Sequence, residues 1–285
     1  MRAARILAWP LVVAARRVLD RYDASGGGLL AGGLAYAALF AIVPAVLLIA
    51  GMVGLFVADP AAREALIETV VGVLPPMREL IEVVLTEVAR DAAPVSIVGA
   101  VALVWGTSRF VVAFESAIAR VMGGDRRRGL LASNLVALGA VVLMIGAILL
   151  SGVLSGLVAF LEAGQALGVI PFVGEALTLA LGLLPVMATI AAVILVYRVV
   201  PVPSPRWGAV IIPGVTVGLA LTILARLFAF LAPRLIGSAA LLGTLATVFA
   251  ALAWLALSFQ ALLLGAAWVR DRVERYIPPG ATAIE

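Results

Sequence analysis

Six apolar stretches, at about 29–57, 94–113, 130–160, 176–200, 207–231 and 239–269, separated by shorter polar connections, leave this chain few ways to fold. An α-helix advances about 1.5 Å per residue, so roughly 20 apolar residues carry it across a hydrocarbon core about 30 Å thick. The pattern predicts an all-α, polytopic integral membrane protein: a six-helix transmembrane bundle occupying residues 26–275. Composition supports this, since 64% of the residues are hydrophobic and 13% charged, against about 45–50% and 25% in soluble domains. A water-soluble globule of that composition would have too little polar material for its surface. The 285 residues suffice for this bundle and leave no room for a second sizeable soluble domain.

Arginine sets the expected orientation. All twenty basic residues are arginine, and fourteen of them fall on one side if the connections alternate: Arg2, Arg5, Arg16, Arg17 and Arg21, then Arg120 and Arg126 to Arg128, then Arg198 and Arg206, and finally Arg270, Arg272 and Arg275. Cytoplasmic flanks retain basic residues while acids count for little, so both termini are expected in the cytoplasm. The opposite side carries Arg63, Arg78 and Arg90 among seven acids, and Arg234. The same bias explains the net charge of +4 without any nucleic-acid partner.

Residues 1–25 resemble a signal peptide only superficially, because Arg16 and Arg17 follow the short apolar part where small residues would be needed for cleavage. They are expected to form an amphipathic helix lying in the membrane interface, with Ile6, Leu7 and Trp9 in the lipid and arginines toward anionic headgroups. The outer connection at about 61–90 carries helical periodicity in Ile81, Val84, Leu85 and Val88 and is interrupted by Pro75 and Pro76, which predicts two short amphipathic helices. Residues 276–285 are expected to be a flexible cytoplasmic tail.

The chain has neither cysteine nor histidine. Disulfides, thiolate nucleophiles, imidazole bases and the commonest transition-metal ligands are therefore absent, and no metal or cofactor is expected. Its candidate residues are polar groups inside apolar stretches. Arg109 in the second stretch either snorkels to the headgroups or holds an anion in a pocket, for which a planar guanidinium is suited. Glu115 stands six positions further on, off the same helical face. Arg226 in the fifth stretch has Arg234 two turns later, and Tyr36 and Gln260 must find hydrogen-bond partners in hydrocarbon. Pro44 and Pro185 are expected helix hinges, and Pro44 gives the long first stretch a place to bend. The Gly28/Gly32, Gly152/Gly156 and Gly214/Gly218 spacings allow close helix approach, within one chain or between copies in a homo-oligomer.

Several stretches, taken in order, carry a resemblance. Gly33-Leu34-Ala35-Tyr36 leads to Pro44; Trp105-Gly106-Thr107-Ser108-Arg109 follows; then come Tyr197-Arg198 with Pro201, Arg206-Trp207 and Pro213-Gly214; and last Gly243, Trp254, Gln260 and Leu264-Gly265-Ala266. This succession resembles the YihY/virulence factor BrkB family of bacterial inner-membrane proteins, once labelled ribonuclease BN. The resemblance implies six spans in the plasma membrane with cytoplasmic termini, places Tyr197 and Arg198 among the site candidates, and makes Pro201 and Pro213 hinges around a turn. This chain departs from the family pattern at Ala119, where Asn is common, at Met122, near which an aromatic is common, and at Leu242, where Tyr is common.

The expected function is a transporter or permease handling an anionic or amphiphilic envelope compound, with Arg109, Glu115 and Arg226 bordering its path and membrane lipid as its surroundings. A non-catalytic membrane scaffold or envelope assembly factor is the alternative. An enzyme is not expected: RNA hydrolysis needs acid–base groups or clustered carboxylates, and this chain lacks histidine and has its acids dispersed, seven of the sixteen along the outer connection.

Overall fold

The computed structural model of the chain describes residues 10–56, 92–124, 173–238 and 244–275. Among these residues all regular structure is helical: α1 (Pro10–Ala24), α2 (Gly27–Phe56), α3 (Ala92–Met122), α4 (Val173–Val199), α5 (Trp207–Ser238) and α6 (Thr244–Arg275). The expected third span, the outer-connection helices, Ile6 to Trp9 and the C-terminal tail lie outside the described residues.

Glycines in the left-handed conformation mark two of the helix boundaries. Gly26 adopts φ +72°, a left-handed conformation that glycine enters without a Cβ penalty, and there α1 gives way to α2 at a 62° bend. Its carbonyl accepts from the Leu30 amide at 3.0 Å and so opens α2. At the end of α3, Gly123 has φ +73°; its amide bonds the Arg120 carbonyl and the Gly124 amide bonds the Ala119 carbonyl, a Schellman cap that satisfies two of the last free carbonyls.

Packing follows small residues, as expected where lipid is as apolar as the helices themselves and close approach supplies the attraction. α2 and α3 run antiparallel, with Gly106 against the Phe40 carbonyl, where an added Cβ would stand only 3.0 Å from the oxygen. α4 and α5 form a second antiparallel pair, in which Gly214 meets Ile194 and Gly218 meets Ile190. α6 touches all five other described helices and joins the two pairs. Its buried Leu255, Phe259, Leu263, Ala266 and Ala267 face Ala31, Leu34, Ala35 and Ala38 of α2 and Ala117, Ile118 and Val121 of α3 in a single core. Phe259 lies 5.8 Å from Phe110 and 6.3 Å from Phe114, ring centre to ring centre. Hydroxyls within the helices bond carbonyls one turn back, as Ser116 does to Val112 and Thr222 to Gly218, so that no partner is needed from lipid.

Two of the described stretches, Trp207–Leu231 and Leu245–Arg275, are long and apolar enough to cross a membrane; a third is added if Val12–Ala24 and Gly27–Ile42 count as one bent span. The start of α2, the ends of α3, α4 and α6 and the start of α5 all lie at one end of the bundle, and that end is rich in arginine.

Candidate functional site

The arginine-rich end is organised by the last turns of α6. Asp271 is 1% exposed, yet it is surrounded by cations: Arg21 at 3.5 Å, Arg17 at 4.0 Å and Arg275 one turn on in direct contact. Glu274 binds Arg21 at 2.6 Å and Arg270 at 2.8 Å. The Arg270 guanidinium also lies over Gly123 and donates to the Val121 carbonyl at 3.3 Å, placing a cation at the negative end of α3. Arg272 donates to the Gly208 carbonyl at 3.1 Å, at the start of α5. Arg270, Asp271, Arg272 and Glu274 of α6 thus tie α1, α3 and α5 together. A buried carboxylate is tolerable only when paired in this way.

Above this junction, the first turns of α2 and the last turns of α3 flank an open cleft of about 600 Å³. Leu29, Leu30, Gly33 and Leu34 form one wall, and Ser116 and Arg120 mark the other. Most of the cleft is apolar or small-sided, including Ala119, the position where the resembling family commonly has Asn. Arg120 is exposed and makes no ion pair or ring contact with any described residue. Its own helix does not engage it either, since the Schellman cap and Arg270 occupy the terminal carbonyls of α3. Apolar walls with one uncommitted guanidinium can accommodate an anionic group attached to an apolar body.

The sequence-derived candidates divide into three groups. Tyr36 and Arg109 do not line the cleft but lie further along the two helices that form it. Because Gly106 packs on Phe40, Tyr36 stands one turn below that contact, close to the level of Arg109 on α3. Leu29, Gly33, Tyr36 and Phe40 form one exposed stripe of α2, and Trp105, Arg109, Val112, Ser116 and Arg120 run along one side of α3; both stripes border the cleft at their lower ends. Tyr36 is 60% exposed and packs against Phe40 at 4.7 Å between ring centres.

A second group is committed to structure. Tyr197 is fully buried in the core, and its hydroxyl donates to the Leu262 carbonyl at 2.7 Å, joining α4 to α6. Arg198 lies 5.5 Å from the centre of the Trp207 ring, a cation–π contact across the turn containing the buried Pro201. Pro213 is buried inside α5, while Pro44 and Pro185 lie inside α2 and α4. The third group stands apart from the cleft. Arg226 is exposed on α5, Gln260 is half-buried on α6 and Glu115 is half-buried on α3, and none of them lines it. Arg234 bonds the Phe230 carbonyl at 2.7 Å and covers that ring.

Two features of the site escape the sequence reading. Arg120 reads as one more basic residue fixing topology, and Asp271 as one acid among arginines after the last span. Only the convergence of α2 on α3, and of α1 on α6, distinguishes them. Among the described residues no three acids group as a metal ion would require.

The model of the family described as Virulence factor BrkB matches residues 18–280, taking in the whole of α2 through α6 and the second half of α1. No solved structure matches the chain.

Proposed function

This chain belongs to the Virulence factor BrkB family, and we propose that it is a permease-like protein of the bacterial plasma membrane that handles an anionic or amphiphilic envelope compound. The observation that carries this reading is the α2–α3 cleft of about 600 Å³, apolar on most sides and holding Arg120, which has no ion-pair partner among the described residues. In this reading six helices span the membrane, both termini and the Asp271 junction are cytoplasmic, and α1 lies in the interface. The protein acts by binding and displacement, with no covalent step and no nucleic-acid partner. The cleft weighs against a solid scaffold, which has no use for an uncommitted arginine beside an apolar wall.

Flux measurements on the full chain in vesicles test this. Saturable movement of an anionic solute or lipid, lowered several-fold by Arg120→Gln, is the expected result. Flux equal to that of empty vesicles for every anionic and amphiphilic probe would overturn it.

A further inference from the structure

From the arrangement of α2 and α3 we infer that their shared exposed face is a track for the anionic headgroup of a lipid, whose tails remain in the bilayer while the headgroup moves. The inference rests on the permease reading and narrows it to a substrate class and a route. Its basis is the position of two cations. Arg120 lies at the cleft, and Arg109 lies on the same side of α3 three turns away, about 16 Å along the axis at about 1.5 Å per residue. Both are exposed, and neither pairs with a described residue.

That separation bears on why Arg109 is there. A guanidinium in a hydrocarbon core about 30 Å thick is tolerated when it snorkels to the headgroups, pairs or is hydrated. To reach even the level of Arg120, the Arg109 side chain would have to extend about 16 Å, more than any side chain can. An anionic headgroup entering the groove would supply the missing partner. The surroundings suit that occupant: Leu29 at the cleft is 86% exposed and Val112, three residues from Arg109, is 44% exposed, so apolar surface lies open to an acyl chain near both cations. Tyr36 of α2 is exposed at about the level of Arg109, one turn from the Gly106–Phe40 contact. Ser116 lies between the two arginines with its hydroxyl proton donated to Val112, so the small oxygen leaves the passage open. A headgroup leaving Arg120 therefore meets a second cation before it has crossed more than about half the core, which lowers the charge-burial barrier where it would be highest.

The test uses the full chain in phosphatidylcholine vesicles containing a trace of fluorescent phosphatidylglycerol or fluorescent phosphatidylcholine, with leaflet exchange read by dithionite quenching. The expected result is exchange of the anionic probe at least about tenfold above protein-free vesicles, reduced by a similar factor in Arg109→Gln and partly retained in Arg109→Lys, with thermal melting unchanged. Anionic-probe exchange that matches protein-free vesicles, or that Arg109→Gln leaves at the wild-type rate, would overturn the inference. A parallel arm follows efflux of trapped inorganic phosphate. Efflux that depends on Arg120 without lipid exchange would reject the lipid track and leave the permease reading standing; absence of both would reject both.

Discussion

Gly265 of α6 sits so close beneath Tyr197 of α4 that a Cβ in its place would overlap the phenol oxygen, and that oxygen is bonded to the Leu262 carbonyl at 2.7 Å. The glycine and the tyrosine therefore form one contact: without the first, the second cannot reach its acceptor. Gly265→Ala is expected to destabilise the protein by about 1–3 kcal/mol, the usual range for overpacking a core. Tyr197→Phe alone should lose about 0.6–1.7 kcal/mol, the range for a hydrogen bond between membrane helices. In the double variant part of the alanine's effect should vanish, because the atom it collides with is gone. Thermal unfolding of the four proteins in detergent gives the coupling; strict additivity would show that the two residues do not share a contact.

The α4–α5 seam allows a comparison between two glycines. A Cβ on Gly218 would stand 2.7 Å from the Ile190 Cα, whereas one on Gly214 meets chiefly the Ile194 side chain, its nearest backbone atom being at 3.2 Å. Backbone cannot move aside as a side chain can. Ile194→Ala should therefore restore most of the stability lost in Gly214→Ala, and Ile190→Ala much less of that lost in Gly218→Ala, both read as shifts in melting temperature.

Asp271→Asn removes the charge that Arg17, Arg21 and Arg275 share. Full breakage of a buried pair costs about 3–5 kcal/mol. Here the arginines remain 26–48% exposed, so water screens part of the effect. A loss of about 1–3 kcal/mol is expected, together with faster protease cleavage within α1. Glu274→Gln should act in the same direction but more weakly, because Glu274 is far more exposed than Asp271.

Tyr22 gives the same helix an alkaline limit. Burial, and secondly the neighbouring Asp23 carboxylate, push its phenol above the ordinary value of 10.0. The folded chain then holds a proton that the unfolded chain releases, so its contribution is fully present below pH 10 and is lost as pH rises through the folded value. The hydroxyl has no hydrogen-bond partner among the described residues. Tyr22→Phe should therefore leave neutral stability unchanged or slightly raised, and should flatten the decline in melting temperature above pH 10.

Helix positions were legible in the sequence because hydrophobic length is a local property. Residues 29–57, 176–200 and 207–231 lie close to α2, α4 and α5, while α3 continues past the expected end at 113 to Met122. That extension is amphipathic, with Glu115 and Arg120 on a helix whose other face is core, so hydropathy falls while the helix goes on. Topological grouping was legible too, in that the arginine-bearing helix ends do gather at one end. What was not legible depends on pairs of helices. Tyr197 reads as a site candidate through the resemblance, and only the approach of α6 shows that its hydroxyl is bonded to the Leu262 carbonyl. Nothing local distinguishes Arg120, which faces a cleft, from Arg270, which caps a helix.

The chain contains no cysteine, so a single one placed in the cleft reports on that site alone. Ser116→Cys should be labelled by a maleimide in phosphatidylcholine vesicles, and lysophosphatidic acid should slow that labelling at least about fivefold; the protection should disappear when Arg120→Gln is added. Labelling of Ser116→Cys that is indifferent to the anionic amphiphile, or protection that survives without Arg120, would contradict the cleft as the place where the compound binds.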